Sequence, residues 1–87
     1  MVSRKVKVHN PSGLHLRPAR ILCKEAIKFK ADISFAYDGG EANAKSVLSV
    51  LGACVKCGDE IVLRCEGADE NEALEALTQA IEAGLGE

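Results

Sequence analysis

Two histidines, four cysteines and eleven basic residues are where this 87-residue chain could do chemistry. His15 stands in Gly13-Leu14-His15-Leu16-Arg17-Pro18, where a loop runs into a helix opened by proline. Proline suits a first helical turn because the N–H it lacks would have no partner there. The first amides of a helix have no intrahelical acceptor, and with the helix dipole they make a seat for an anion. Histidine, with an ordinary pKa of about 6.5, keeps a nucleophilic nitrogen near neutral pH. At a helix start it can take a phosphoryl group and hold it where the amides receive it. Arg17 adds a guanidinium for the phosphoryl oxygens. The simpler alternative is a histidine that only caps the helix. His9 follows an apolar segment and has no such setting.

Ser46 precedes the short apolar run Val47–Leu51. Its plain role is an N-cap contributing about 1 kcal/mol. A phosphate there would be compatible with the helix dipole, so the fold would survive the modification. Cys54 and Cys57 form a C-x-x-C, a spacing that can carry redox chemistry or half a zinc site. A zinc site would need two more ligands, and Cys23 and Cys65 fall at expected core positions. The pair also follows a helix, whereas a redox pair normally opens one. Small buried or loop cysteines are the simpler reading. All four are expected as reduced thiols, because nothing resembles a secretory signal.

The elements that must position these groups are legible from periodicity. Val2, Val6 and Val8 have the even spacing of a first strand. Ala19, Leu22, Cys23 and Ala26 make the buried face of a first helix, with Arg17, Arg20, Lys24 and Lys28 as a basic stripe on another face. Ile33, Phe35 and Tyr37 alternate as a second strand. Asp38-Gly39 signals a type I′ hairpin into a third strand around 41–44. Ser46 opens a short second helix with Val47, Val50 and Leu51 on its buried side. Ile61, Leu63 and Cys65 alternate as a fourth strand. Asp69 and Glu72 have capping-box spacing at the head of a last helix, whose apolar stripe runs from Ala73 to Gly84. The order β-α-β-β-α-β-α, with one apolar face per helix, implies a two-layer α+β domain over 1–87, helices on one side of a mostly antiparallel sheet.

Composition narrows the function. The net charge of −2 hides a gradient: residues 1–30 carry eight basic residues against Glu25, and residues 59–87 carry nine acids against Arg64. A basic end suggests an acidic or phosphate-bearing partner. Nucleic acid is not expected, because no aromatic residues interleave with the basic ones. No apolar stretch approaches the roughly 20 residues of a membrane span, so no membrane insertion is expected and the cytoplasm is the default compartment.

Gly13-Leu14-His15-x-Arg17-Pro18-Ala19 resembles the active-site motif of HPr, the histidine-containing phosphocarrier family of the bacterial phosphoenolpyruvate:sugar phosphotransferase system. The resemblance runs over the whole chain. Lys45-Ser46-Val47-Leu48 is similar to the regulatory serine segment of Gram-positive members, and residues 67–74 and 84–87 resemble the family's last helix and tail. It implies an open-faced sandwich: three helices on one face of a four-stranded antiparallel sheet in the order 1-4-2-3. It implies that enzyme I phosphorylates His15 on Nδ1, with Arg17 stabilising the phosphoryl group. Enzyme IIA domains then receive it from a carrier that is not itself an enzyme and needs no cofactor or metal. It also implies phosphorylation of Ser46 by HPr kinase/phosphorylase, and binding of the product to the catabolite control protein in carbon catabolite repression. The docking surface expected comprises Leu16, Arg20, Lys24, Val47, Leu48 and Leu51, presented by a monomer. Leu16 stands where the family usually has a small residue and Arg20 where it commonly has a small or hydroxylated one, and the C-x-x-C lies outside its pattern. Two alternatives stand beside the carrier: a regulatory relative acting mainly through phospho-Ser46, a class that lacks the active histidine, and a redox or metal module built on Cys54 and Cys57.

Overall fold

The computed structural model describes residues 1–87. In chain order the elements are β1 (Val2–Lys7), α1 (Leu16–Ala26), β2 (Asp32–Tyr37), β3 (Gly40–Asn43), α2 (Val47–Gly52), β4 (Glu60–Glu66) and α3 (Glu70–Glu82). The strands form one sheet in the order β1-β4-β2-β3, and every neighbouring pair is antiparallel. Order, strand count and helix count match the expected open-faced sandwich.

Alternation sets which side of the sheet is covered. Register pairs Val6 with Ile61, Ile33 with Cys65, and Phe35 with both Leu63 and Ala42. All these side chains are buried. Their neighbours along the strands, among them Lys5, Ser34, Glu41 and Arg64, lie on the uncovered face, where Arg64 pairs with Glu41. Helix α1 buries Pro18, Ala19, Leu22, Cys23 and Ala26, and α3 buries Ala73, Leu74, Leu77, Thr78 and Ile81. α3 lies over β1 and β4, α2 reaches β3, and α1 packs against both other helices. One cluster of 23 buried residues joins the layers. Each large aliphatic in it contributes roughly 1.5–3 kcal/mol by leaving water.

Two local expectations fail. The Asp38-Gly39 turn is not type I′, which needs positive φ at both residues: only Gly39 (φ 111°) is left-handed. The capping box at α3 does not form either. Asp69 occupies the N-cap position without a side-chain cap bond. Its carboxylate instead accepts from the amides of Lys30 at 2.9 Å and Ala31 at 2.8 Å, tying the α1–β2 loop to the head of α3. Long-range donors outcompeted local ones, which spacing alone does not reveal. The Lys30 amide bond, then that of Ala31, with the nearby Lys45 charge, hold the Asp69 carboxyl below its usual range.

Because that pKa is depressed in the folded state, the stabilisation is present above the ordinary carboxylate value and is lost as pH falls through the folded one. Urea midpoints should therefore fall from about pH 5 to about pH 3 more steeply for the native protein than for Asp69→Asn. A second prediction concerns Cys54, a non-glycine residue at φ 54°. Left-handed backbone costs an L-residue about 1–2 kcal/mol, and glycine gives back about 0.5–1 in chain entropy. Cys54→Gly should raise unfolding stability by about 0.5–1 kcal/mol in denaturant titration.

Candidate functional site

The loop between β1 and α1 is held from two sides. On one side, Leu14 donates its amide to the Val55 carbonyl at 2.9 Å, and the adjoining segment runs so close that only glycine fits at 13. A Cβ on Gly13 would lie 2.5 Å from the Val55 oxygen, and its φ of 66° is itself left-handed. On the other side stands Glu87. Its carboxylate accepts from the Ser12 hydroxyl at 2.7 and 2.8 Å, the Ser12 amide at 3.1 Å and the Asn10 side-chain amide at 2.9 Å. Asn10 is buried, and its Nδ2 also donates to the Gly13 carbonyl at 2.7 Å. The Asn10 and Ser12 bonds, with help from the Arg17 charge, hold the Glu87 carboxyl below its usual range.

The loop delivers His15 to the N-cap of α1 in extended backbone (φ −77°, ψ −176°). The His15 carbonyl takes the first helical bond, from Ala19 at 2.8 Å. Its imidazole is exposed and makes no cap bond, so the ring does no structural work for the helix. His9 contrasts with it: Nε2 bonds the Glu82 carbonyl at 2.8 Å and staples the β1 end to α3. Beyond His15, the amides of Leu16 and Arg17 precede the helical ladder and Pro18 has none, leaving two donors at the helix mouth. No acidic residue sits in this first turn to compete for them.

Arg17, Arg20 and Lys24 are exposed and form no ion pair, whereas Lys28 is bound to Glu25 at 2.9 Å. Three of the four stripe cations are thus available. Beside them Leu48 is 82% exposed and Leu16 48%, with Val47 and Leu51 half-buried between surface and core. Ile27, 63% exposed, extends this apolar and basic face past Lys24, which the sequence reading missed. Its signal was an aliphatic at three residues from Lys24 on the polar side of the helix. Ser46 caps α2 as expected, its hydroxyl accepting from the Ser49 amide at 3.2 Å.

Cys54 and Cys57 are free and exposed, and they turn to different groups. Cys54 Sγ lies 3.8 Å from the Leu51 carbonyl and Cys57 Sγ 3.4 Å from that of His9. Burial pushes the thiols of Cys23 and Cys65 up, as fits core residues. No helix is long and apolar enough to cross a membrane.

The family model for the PTS HPr component phosphorylation site matches residues 2–83. The chain belongs to the HPr family. It is 39% identical over 82 residues to the HPr-like protein Crh of Bacillus subtilis, covering 94% of this chain and 96% of that one. It is 39% identical over 79 residues to phosphocarrier protein HPr of Mycoplasma pneumoniae, covering 90% of each. A crystal structure of HPr from Thermoanaerobacter tengcongensis superposes with a TM-score of 0.96 at 37% identity, over 100% of this chain and 98% of that one. A dimer structure of that protein gives 0.79 over 100% of both chains. HPr proteins are phosphocarriers of the sugar phosphotransferase system, and this chain carries their fold.

The Glu87 latch makes a testable statement about the site loop. Because its pKa is depressed, the carboxylate stays charged to lower pH than an ordinary glutamate. The Ser12 amide proton shift should titrate with a midpoint below about 4.3 by NMR. In Glu87→Gln that titration should vanish.

Proposed function

We propose that His15 accepts a phosphoryl group from phospho-enzyme I and passes it to enzyme IIA domains. The observation that carries this reading is an imidazole at the N-cap of α1 that is exposed, unused by the helix, and set beside two free amides and an unpaired Arg17. The Nδ1 lone pair attacks phosphorus while the N–P bond of the donor phosphohistidine breaks; the donor ring takes up one proton to leave as neutral imidazole, and the phosphorylated His15 ring releases its Nε2 proton, through solvent, in exchange. Arg17 and the Leu16 and Arg17 amides meet the charge on the phosphoryl oxygens. Since Arg17 also lies in the field of Glu87, its guanidinium has an anion at hand before phosphorylation and a stronger one after it.

Docking follows from the same face. Leu16, Leu48, Val47 and Leu51 give an apolar centre, and Arg20 and Lys24 give it a basic rim that speeds encounter with acidic partners. Leu16 and Arg20 add bulk and charge beside His15 and so bear on which partners fit. We read the working form as a monomer that presents this face to one partner at a time, in the cytoplasm. Ser46 lies next to Leu48, so a phosphate placed there by a kinase would put negative charge into the docking face, opposing enzyme I and favouring a basic partner such as the catabolite control protein.

The likeness to Crh favours a second reading, a regulator acting through phospho-Ser46. His15 distinguishes the two. Incubation with phosphoenolpyruvate, magnesium and enzyme I should add one acid-labile phosphoryl group by intact mass, and none to His15→Ala. Arg17→Ala should slow transfer by about tenfold or more. No addition with the host's own enzyme I, that enzyme being active on a known HPr in the same tube, would reject the carrier reading and leave the regulator.

A further inference from the structure

The Val55 carbonyl, which accepts the Leu14 amide at 2.9 Å and so fixes the approach to His15, lies in the chain between Cys54 and Cys57. The two thiols thus bracket the acceptor that anchors the site loop. The anchor has no slack. A Cβ on Gly13 would come within 2.5 Å of the Val55 oxygen, 2.8 Å of the Lys56 Cα and 3.1 Å of the Cys57 nitrogen. Both thiols are free and exposed. Cys54 and Lys56 also line a cavity of about 250 Å³ that includes His15, so a small reagent has room to reach the Cys54 sulfur. Cys54 stands at φ 54°, a backbone that glycine would occupy without strain. A strained residue kept beside a reacting group points to a function for its side chain.

In the reduced chain the two sulfurs act as tethers. Cys54 Sγ donates to the Leu51 carbonyl at 3.8 Å, Cys57 Sγ donates to the His9 carbonyl at 3.4 Å, and residues 54–56 form no turn. A disulfide needs its two Cα atoms within about 7 Å and their Cβ atoms directed at each other. Joining 54 to 57 would remove both S–H donors and curl the segment between them. That segment carries the carbonyl that Leu14 depends on.

We propose that Cys54 and Cys57 are a modification site: a low-molecular-weight disulfide oxidises them to an intramolecular disulfide, and the oxidised chain is a poor phosphoryl acceptor because Leu14 has lost its anchor. The second part rests on the carrier reading. The Cys54 thiolate attacks one sulfur of the reagent and expels the other as a thiolate. The Cys57 thiolate then attacks the Cys54 sulfur and expels the remaining half. Two protein thiols become one disulfide, the reagent becomes two thiols, and the two protons pass to them. Cys23 and Cys65 are buried and take no part. A bond closed against the folded backbone is strained and readily reduced, which makes the modification reversible.

The test treats the protein with oxidised glutathione, removes the reagent by gel filtration and measures intact mass. The mass should fall by two hydrogens, and denatured protein should keep two alkylatable thiols, Cys23 and Cys65, in place of four. With phosphoenolpyruvate and the host's enzyme I, kcat/KM for the oxidised carrier should drop by about tenfold or more and recover with dithiothreitol. The Leu14 amide should exchange with deuterium about tenfold faster in the oxidised form. The double variant Cys54→Ser, Cys57→Ser, taken through the same treatment, should stay within about twofold of reduced protein in both readouts. Mixed disulfides or linked pairs of chains in place of the intramolecular bond would overturn the inference. So would an oxidised protein whose transfer is unchanged or whose Leu14 amide stays protected. Reduced protein that accepts no phosphoryl, the enzyme I being active on a known HPr, would instead reject the carrier reading, while mass and Leu14 exchange would still report on the dithiol.

Discussion

The bond from the Leu14 amide to the Val55 carbonyl is the constraint on which the site depends. It joins the loop before α1 to the segment after α2, two stretches separated by forty residues of chain. Gly13 makes the approach possible by lacking the Cβ that would strike the Val55 oxygen. With that contact made, His15 has little choice of position, because Leu14 beside it is buried and Ala19 beyond it is committed to the helix. The imidazole is thereby placed by the backbone on either side of it, and its own atoms stay free.

Several groups at this end of the molecule are left free. Elsewhere, some polar side chains are spent on structure: Asp69 on the α1–β2 loop, His9 on α3, Lys45 on the Phe29 carbonyl at 2.8 Å. At the site the reverse holds. His15 makes no cap bond, Arg17, Arg20 and Lys24 have no ion pair, and Leu16 and Leu48 face solvent. Groups left unsatisfied on a folded surface are available to a phosphoryl group or to a partner. Glu87 is the intermediate case, a carboxylate bound to the site loop by neutral donors and felt by Arg17. It anchors the loop with negative charge set near the otherwise unpaired Arg17.

Two local readings of the sequence fail, and a third motif takes a place that spacing does not show. Asp69 and Glu72 have the spacing of a capping box, yet the carboxylate is taken by amides some forty positions away. Asp38-Gly39 has the composition of a type I′ turn, but only the glycine turns left-handed. Cys54 reads as half of a C-x-x-C, while its place is the rim of a cavity that includes His15. For Asp69 a local motif was present and a distant segment decided how its side chain was used.

By itself the sequence determined the element order, the buried faces of the helices and strands, and the histidine at a helix start. Those follow from periodicity and from the chemistry of proline, glycine and imidazole, which act over a few residues. It also carried the family, through Gly13-Leu14-His15-x-Arg17-Pro18-Ala19. Only the tertiary structure decided which cations stay unpaired, that Glu87 holds Ser12 and Asn10, that Ile27 lengthens the exposed apolar and basic face, and that Cys54 and Lys56 line a cavity beside His15. Each of those depends on contacts between residues far apart in the chain, and spacing along the chain contains no record of which distant groups packing will bring together.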